Sequence, residues 1–268
     1  ALNDVPREPL VPRRLGKNMC VPFGKILRGK VVPNTVTKTL HTDKVYEPDL
    51  NSFTIEPFPY YSPLKSQIET IKSFDRPVIL VDDLVHTANR LQVLVPQLRE
   101  DGIPIKKVVV GVLSGYGRDL MQCLKVPVES IYSMPNLRQW FVESTLYPFI
   151  GGDTVRREEM KVAGLQPSIN MILPYATPRL SGCSREALVE FSACCIENSR
   201  DLFQVLEAEY RKMYAKNLTL SRLSEAVILP LCPDKGSCME YDENLAASVY
   251  LENDLETLWR MKEFLIKG

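Results

Sequence analysis

Pro77-Val78-Ile79-Leu80-Val81-Asp82-Asp83-Leu84-Val85-His86-Thr87-Ala88-Asn89-Arg90-Leu91 carries the strongest structural signal in the chain. Its first five residues are an unbroken apolar run, as in a strand buried on both faces of a parallel sheet. Asp82 and Asp83 close that strand, and a short turn follows. Leu91, Leu94, Val95 and Leu98 then recur at helical spacing, with a bend expected at Pro96 and a stop at Gly102. Lys107 to Leu113 (KVVVGVL) reads as a second buried strand. Ser114-Gly115-Tyr116-Gly117 reads as a tight turn, Arg118 to Leu124 as a short helix, and Val126 to Tyr132 as another strand. Strand, helix, strand, helix, strand with short connections specifies an α/β fold with a parallel sheet.

Upstream, residues 18–30 read as a helix containing Phe23, Ile26 and Leu27, and Val31 to Leu40 as a strand rich in Val and Thr. His41 to Asn51 is a polar loop or hairpin, and Phe53-Thr54-Ile55 a short strand ended by Pro57 and Pro59. Ser62 and Pro63 supply an N-cap and first helical position ahead of Leu64, Ile68 and Ile71. Downstream of about residue 160 the composition shifts. Pro167, Pro174 and Pro178 punctuate a loop-rich stretch. Ser184 then caps a long helix with Leu188, Phe191, Cys195, Leu202, Leu206, Tyr210 and Met213 near one stripe, and a last helix runs from Leu251 to Ile266. The expected organisation is an extended arm at 1–17 (or the cut edge of a longer protein), an α/β domain at 18–160 and a mostly helical region at 161–268.

The 268 residues carry 33 basic and 33 acidic side chains, with 25% charged and 45% hydrophobic residues. These are ordinary globular values and argue against wholesale disorder. Zero net charge argues against binding nucleic acid by bulk electrostatics. No run of ~18 or more apolar residues occurs, so no membrane span is expected. Seven scattered cysteines without a signal segment suggest reduced thiols and a cytoplasmic setting. Adjacent Cys194 and Cys195 read as small buried hydrophobes in a helix. Cys232 and Cys238 read as a loop disulfide or two thiols. No GxxxxGK[ST], GxSxG or HExxH signature is present.

The acid pair between strand and helix is the chemical centre of the sequence. In an open parallel sheet, ligands bind outside the carboxyl ends of the strands. A helix N-terminus favours phosphate, and carboxylates just before it can accept from sugar hydroxyls or hold a hydrated Mg²⁺. Strand-Asp-Asp-x-x-x-Thr followed by a helix resembles the ribose-phosphate loop of the type I phosphoribosyltransferases. The resemblance covers roughly residues 18–150. It implies that Asp82 and Asp83 hold the ribose diol and Mg²⁺, and that His86, Thr87, Ala88, Asn89 and Arg90 hold a 5′-phosphate. It also implies that Thr37, Lys38 and Lys44 meet the diphosphate of phosphoribosyl pyrophosphate. The implied partner is a phosphorylated ribose ligand. The implied reaction, where catalysis is retained, transfers phosphoribosyl to a base and releases pyrophosphate.

The loop departs from the family's Thr-Gly-x-Thr pattern: Ala88 stands at the glycine and Arg90 at the second hydroxyl. Arg90 either pairs with a phosphate or fills its site. The substitutions suit a non-catalytic ligand sensor or interaction module, and a flavodoxin-like or receiver-like sheet using the two acids as a metal site is a third reading. A homo-oligomer is left open. His41 with Asp43 and Lys44 could form a hood, although a solvated hairpin is preferred. Trp140-Phe141 and Tyr147 to Gly152 read as core packing ahead of a base pocket, and Arg156-Arg157 beside Glu158-Glu159 as a solvated helix start.

Overall fold

The computed structural model describes residues 15–24, 26, 34–58, 61–138, 140–156, 166–178, 182–223, 227–230 and 241–267. The chain divides into two compact units: Ala1–Asp43 with Ile55–Arg138, and Lys44–Thr54 with Gln139–Gly268. In chain order the elements begin with β1 (Met19–Pro22), β2 (Val36–Thr37), β3 (Thr42–Tyr46), β4 (Phe53–Pro57) and α1 (Leu64–Lys72). They continue with β5 (Val78–Val85), α2 (Asn89–Glu100), β6 (Ile105–Ser114), α3 (Gly115–Cys123) and β7 (Val128–Met134). The remainder is β8 (Asp153–Val155), β9 (Gln166–Ile169), α4 (Arg185–Tyr214), α5 (Leu220–Leu223), β10 (Ile228–Pro230) and α6 (Ala247–Lys267).

The first unit is α/β. Its five-stranded sheet has the order β2-β1-β5-β6-β7, and every pairing in it is parallel. Alternate residues of the central strands feed two cores. Met19, Val21, Val78, Leu80, Val108 and Val110 face one side with the apolar stripes of α1 and α2. Cys20, Ile79, Val81 and Val109 form the other. Such two-sided burial is why these strands read as continuous apolar runs; each fully buried Leu or Ile contributes about 1.5–3 kcal/mol.

Several expectations are corrected here. Residues 19–22 are strand β1 and not helix, since Pro22 and Gly24 interrupt a helical ladder while Met19 to Pro22 pair in register with Val78 to Val81. Residues 25 and 27–30 of that expected helix, and 31–33 of the following strand, lie outside the described residues. Of the loop or hairpin expected at 41–51 the hairpin is what forms, since Thr42–Tyr46 is a strand neighbouring Phe53–Pro57. α1 starts one residue later than expected: Pro63 occupies the cap position with no side-chain bond. β5 does not stop at the acids but runs to Val85, because its ladder with β6 continues through Leu84–Val112 and Val85–Leu113. Ser114-Gly115-Tyr116-Gly117 is the N-cap and first turn of α3. Of the arm expected at 1–17, residues 1–14 lie outside the described residues, while Gly16 N–H donates to the Asn34 carbonyl at 2.7 Å.

The second unit has the expected long helices α4 and α6, which pack together, and also a small sheet that the sequence did not announce. Its strand order is β10-β9-β8-β3-β4. The pairing of β8 with β9 explains why the division falls after Arg138 and not at residue 160: Asp153 and Thr154 lie opposite Ile169 and Ser168. Ser184 caps α4 as expected, accepting from the Ala187 amide at 3.1 Å. The buried stripe of α4 is Val189, Ser192, Ala193, Cys195, Ile196, Ser199 and Phe203, while Leu202, Leu206 and Met213 of the expected stripe are exposed. Tyr175 is fully buried, and its hydroxyl donates to Asp254 at 2.7 Å. Cys20, Cys123, Cys183, Cys194 and Cys195 are thiols; Cys194 is exposed and not buried, whereas Cys195 is buried. Cys232 and Cys238 lie outside the described residues. Among the described residues, no helix is long and apolar enough to cross a membrane.

Candidate functional site

All strands of the first sheet run the same way, so the ends of β2, β1, β5 and β6 share one edge. The chain leaves β1 toward β2, then returns and proceeds from β5 toward β6 and β7. The strand order therefore reverses between β1 and β5, and a ligand crevice is expected at that point. Phe23, just past β1, donates its N–H to the Val81 carbonyl at 3.0 Å, which ties the two strand ends together.

Asp82 lies on β5 with only 7% of its surface exposed, and Asp83 beside it is exposed. The Asp83 amide donates to Asp82 Oδ1 at 3.1 Å, and the two carboxylates stand close enough to interact. Asp82 meets Arg90, whose Nη1 lies 3.3 Å from Oδ1 and 3.5 Å from Oδ2. The Arg90 guanidinium also sits over the Phe23 ring, 5.4 Å from its centroid, and its Nε is buried without a hydrogen-bond partner. Arg90 therefore lies across the crevice and onto the acid. Burial is the main influence on Asp82 and pushes its carboxyl up to about 7; Arg90 opposes that and Asp83 reinforces it. Asp83 Oδ1 accepts the Leu84 amide at 2.7 Å.

The loop behind the acids is built around one backbone feature. Ala88 has φ +51° and ψ 22°, the left-handed conformation that suits glycine, and it occupies the cap position of α2. Its methyl is buried in the core beside α2. Without a polar side chain at the cap, the first amides of α2 receive no side-chain bond. The Thr87 carbonyl accepts from Gln92 Nε2 at 2.8 Å.

His86 bonds through Nδ1 to Ser114 Oγ at 2.8 Å, and Ser114 Oγ accepts the Gly117 amide at 2.9 Å. Tyr116 lies edge-on to the His86 ring at 5.8 Å. α3 closes on β5 so tightly that a Cβ at Gly117 would stand 2.2 Å from the Val85 carbonyl oxygen. Ser114 and Phe23 are the site residues that the sequence reading missed. A serine between a strand and a helix is an N-cap signal that could have singled out Ser114.

Of the other expected residues, Thr37 and Lys38 reach the same sheet edge at the end of β2, two strands from β5 and so about 10 Å aside. Both are exposed, and the Lys38 amide donates to the Cys20 carbonyl at 3.1 Å. Lys44 belongs to the second unit, where it pairs with Asp153 at 3.3 Å and lies over the Tyr46 and Phe53 rings at 4.2 and 4.9 Å. Burial works against its charge, but Asp153 and the Tyr46 hydroxyl outweigh it and the Lys44 pKa is raised. His41, read as part of a solvated hairpin in preference to a hood, stacks on Tyr61 at 3.8 Å, and its backbone is held on both sides by Gln67. Trp140 and Phe141 are exposed, whereas Phe149 is core. Arg156 follows β8 and pairs with Glu47 at 3.1 Å; residues 157–159 of the expected helix start lie outside the described residues.

Asp82 is already paired with Arg90, so a cation shared by the two acids would have to compete with that guanidinium. Among the described residues, no group of three or more His, Cys, Asp or Glu side chains is placed to hold a metal ion.

No protein-family model and no curated protein matches the sequence. Among solved structures the chain is similar to the AQ2163 protein from Aquifex aeolicus, at 19% identity and a TM-score of 0.31 over 44% of this chain and 54% of that one. The chain thus spans about half the length of that protein.

Proposed function

We propose that the first unit binds a phosphoribosyl ligand, phosphoribosyl pyrophosphate or a nucleotide, at the carboxyl edge between β1 and β5, and that it does so as a ligand-responsive module and not as a transferase. The observation that carries this reading is the Arg90–Asp82 pair lying over Phe23 at the crossover of the strand order. The left-handed cap at Ala88 supports the resemblance to the ribose-phosphate loop of the type I phosphoribosyltransferases.

In the proposed bound state a ligand phosphate competes with Asp82 for the guanidinium. Arg90 then pairs with phosphate in bidentate fashion, next to the uncapped first amides of α2. Asp82, released, meets a ribose hydroxyl. A carboxyl poised near neutrality can donate as well as accept in that contact. Asp83, which is exposed, supplies a second acceptor, and the His86 ring a further contact to phosphate. Transfer chemistry also needs charge stabilisation at departing pyrophosphate, and of the two lysines expected to meet it Lys44 is already committed to Asp153, which leaves the exposed Lys38.

The test is calorimetric titration with ribose 5-phosphate and with phosphoribosyl pyrophosphate, with and without Mg²⁺. Binding is expected in the wild type. The Asp82→Asn, Asp83→Asn double variant should lose it. Absence of binding at millimolar ligand would overturn the proposal. Release of pyrophosphate with any nucleobase would replace the module by an enzyme.

A further inference from the structure

An open depression with a volume of about 520 Å³ lies at the carboxyl end of α4, wholly within the second unit, and all of its lining residues except the half-buried Thr219 are exposed. Its lining includes three cations, Arg211, Lys216 and Arg222, and no acid. None of these cations has a carboxylate within ion-pair distance among the described residues. Elsewhere in the chain Lys44, Lys107, Arg156 and Arg200 each stand against an acid. The negative end of the α4 dipole amounts to about half an elementary charge, so it offsets only a small part of three.

The depression is also ordered. Arg222 Nη1 donates to the Asn217 carbonyl at 2.9 Å, and its guanidinium lies 5.9 Å over the Tyr210 ring. The wall at 219–222 is tied to the segment at 243–245 by the Leu220 amide on the Leu245 carbonyl and the Ser221 amide on the Glu243 carbonyl, at 3.0 and 2.9 Å. Thr219 Oγ1 and Ser221 Oγ stand 3.0 Å apart on that wall. Asn244 completes it, held by Asp242, whose carboxylate accepts both the Asn244 amide and its side chain. Apart from Ala215 the lining is polar, and no aromatic side chain takes part.

We propose that this depression binds a small phosphomonoester with a hydroxylated body, such as a sugar phosphate. A phosphomonoester carries close to two negative charges at neutral pH, matched by the three unpaired cations. The space is within the usual range for small-molecule sites and exceeds what a bare phosphate fills. The hydroxyls and amides of Thr219, Ser221, Asn217 and Asn244 suit a polyol and offer no stacking face for a nucleobase. The site shares no residue with the β5 edge, so the two stand or fall separately.

The experiment follows backbone amide shifts of Asn217, Thr219, Ser221 and Asn244 in the full chain during titration with inorganic phosphate, then with glucose 6-phosphate, at ionic strength held constant with chloride. Both ligands are expected to give saturating shifts, glucose 6-phosphate at the lower concentration. Arg211→Gln with Arg222→Gln should weaken both by at least about tenfold, and the exposed Lys216→Gln alone by about threefold. Shifts that do not saturate, or that chloride reproduces, overturn the proposal. So does an unchanged affinity in either variant, and a glucose 6-phosphate affinity no better than that of inorganic phosphate overturns the polyol part.

Discussion

Replacing Asp82 by Asn gives the sharpest reading of the β5 edge. In the folded protein, burial raises the Asp82 carboxyl from 3.8 to about 7 despite Arg90 beside it. In the unfolded chain it titrates near the ordinary value. Between those two values the folded protein holds a proton that the unfolded chain has lost, so stability must fall as pH rises. Each pH unit of that window costs about 1.4 kcal/mol, and the window of about three units costs on the order of 4 kcal/mol at this one position. The contribution is fully present below about pH 4 and is lost by the time the pH passes 7. Asparagine keeps the shape and does not titrate. Urea unfolding followed by far-ultraviolet circular dichroism, at half-unit steps from pH 4.5 to 8.5, gives two stability curves. Wild type minus Asp82→Asn should decline steadily to about pH 7 and then level off, with the variant at least as stable as wild type at pH 8. Parallel curves would refute the reasoning. A difference that grows with pH would reverse it, since that is the sign of a carboxylate held ionised by Arg90.

Ala88→Gly should leave stability within about 1 kcal/mol of wild type in the same urea assay, because relief of the left-handed backbone offsets the lost methyl and the added freedom of the unfolded chain. Ala88→Val should cost at least about 2 kcal/mol, since a β-branched side chain strongly resists positive φ. Gly117→Ala should destabilise by more than about 2 kcal/mol, because the new Cβ meets backbone 2.2 Å away at Val85; a neutral result would mean that α3 is not seated on β5 as described. Tyr175→Phe should cost about 1–3 kcal/mol, measured by the fluorescence of Trp140 and Trp259, because it removes a buried hydrogen bond to Asp254.

The centre of the first sheet was legible because β5 and β6 are covered on both faces, which leaves only apolar side chains in Val78 to Val81 and Val108 to Val110. β1 escaped because Met-Cys-Val-Pro is too short to show a period and its ladder partner lies far along the chain. The second sheet escaped for the same reason, being built from strands of three to five residues that pair across long separations. The buried face of α4 was misplaced because Ser192 and Ser199 lie inside while Leu202 and Leu206 lie outside, and an apolar period is blind to buried serines. At the candidate site the acids and the loop were read from local order. The Arg90–Asp82 contact was not, because it spans a strand, a turn and the first turn of a helix, and no periodic pattern joins positions eight apart across such a change of direction.

The assignment of residues 44–54 to the second unit makes the two units interleaved in sequence. β3 lies between β8 and β4 in its sheet, although Val45 and its partner Thr154 are more than a hundred positions apart. A cut after Arg138 would therefore yield no self-sufficient half. The carboxyl-terminal piece would lack β3 and β4 and would expose the ladder groups of β8 as a raw edge, prone to association with other chains. Completion of the second unit has to wait for closure of a loop that contains most of the first, a slow, nonlocal step in folding.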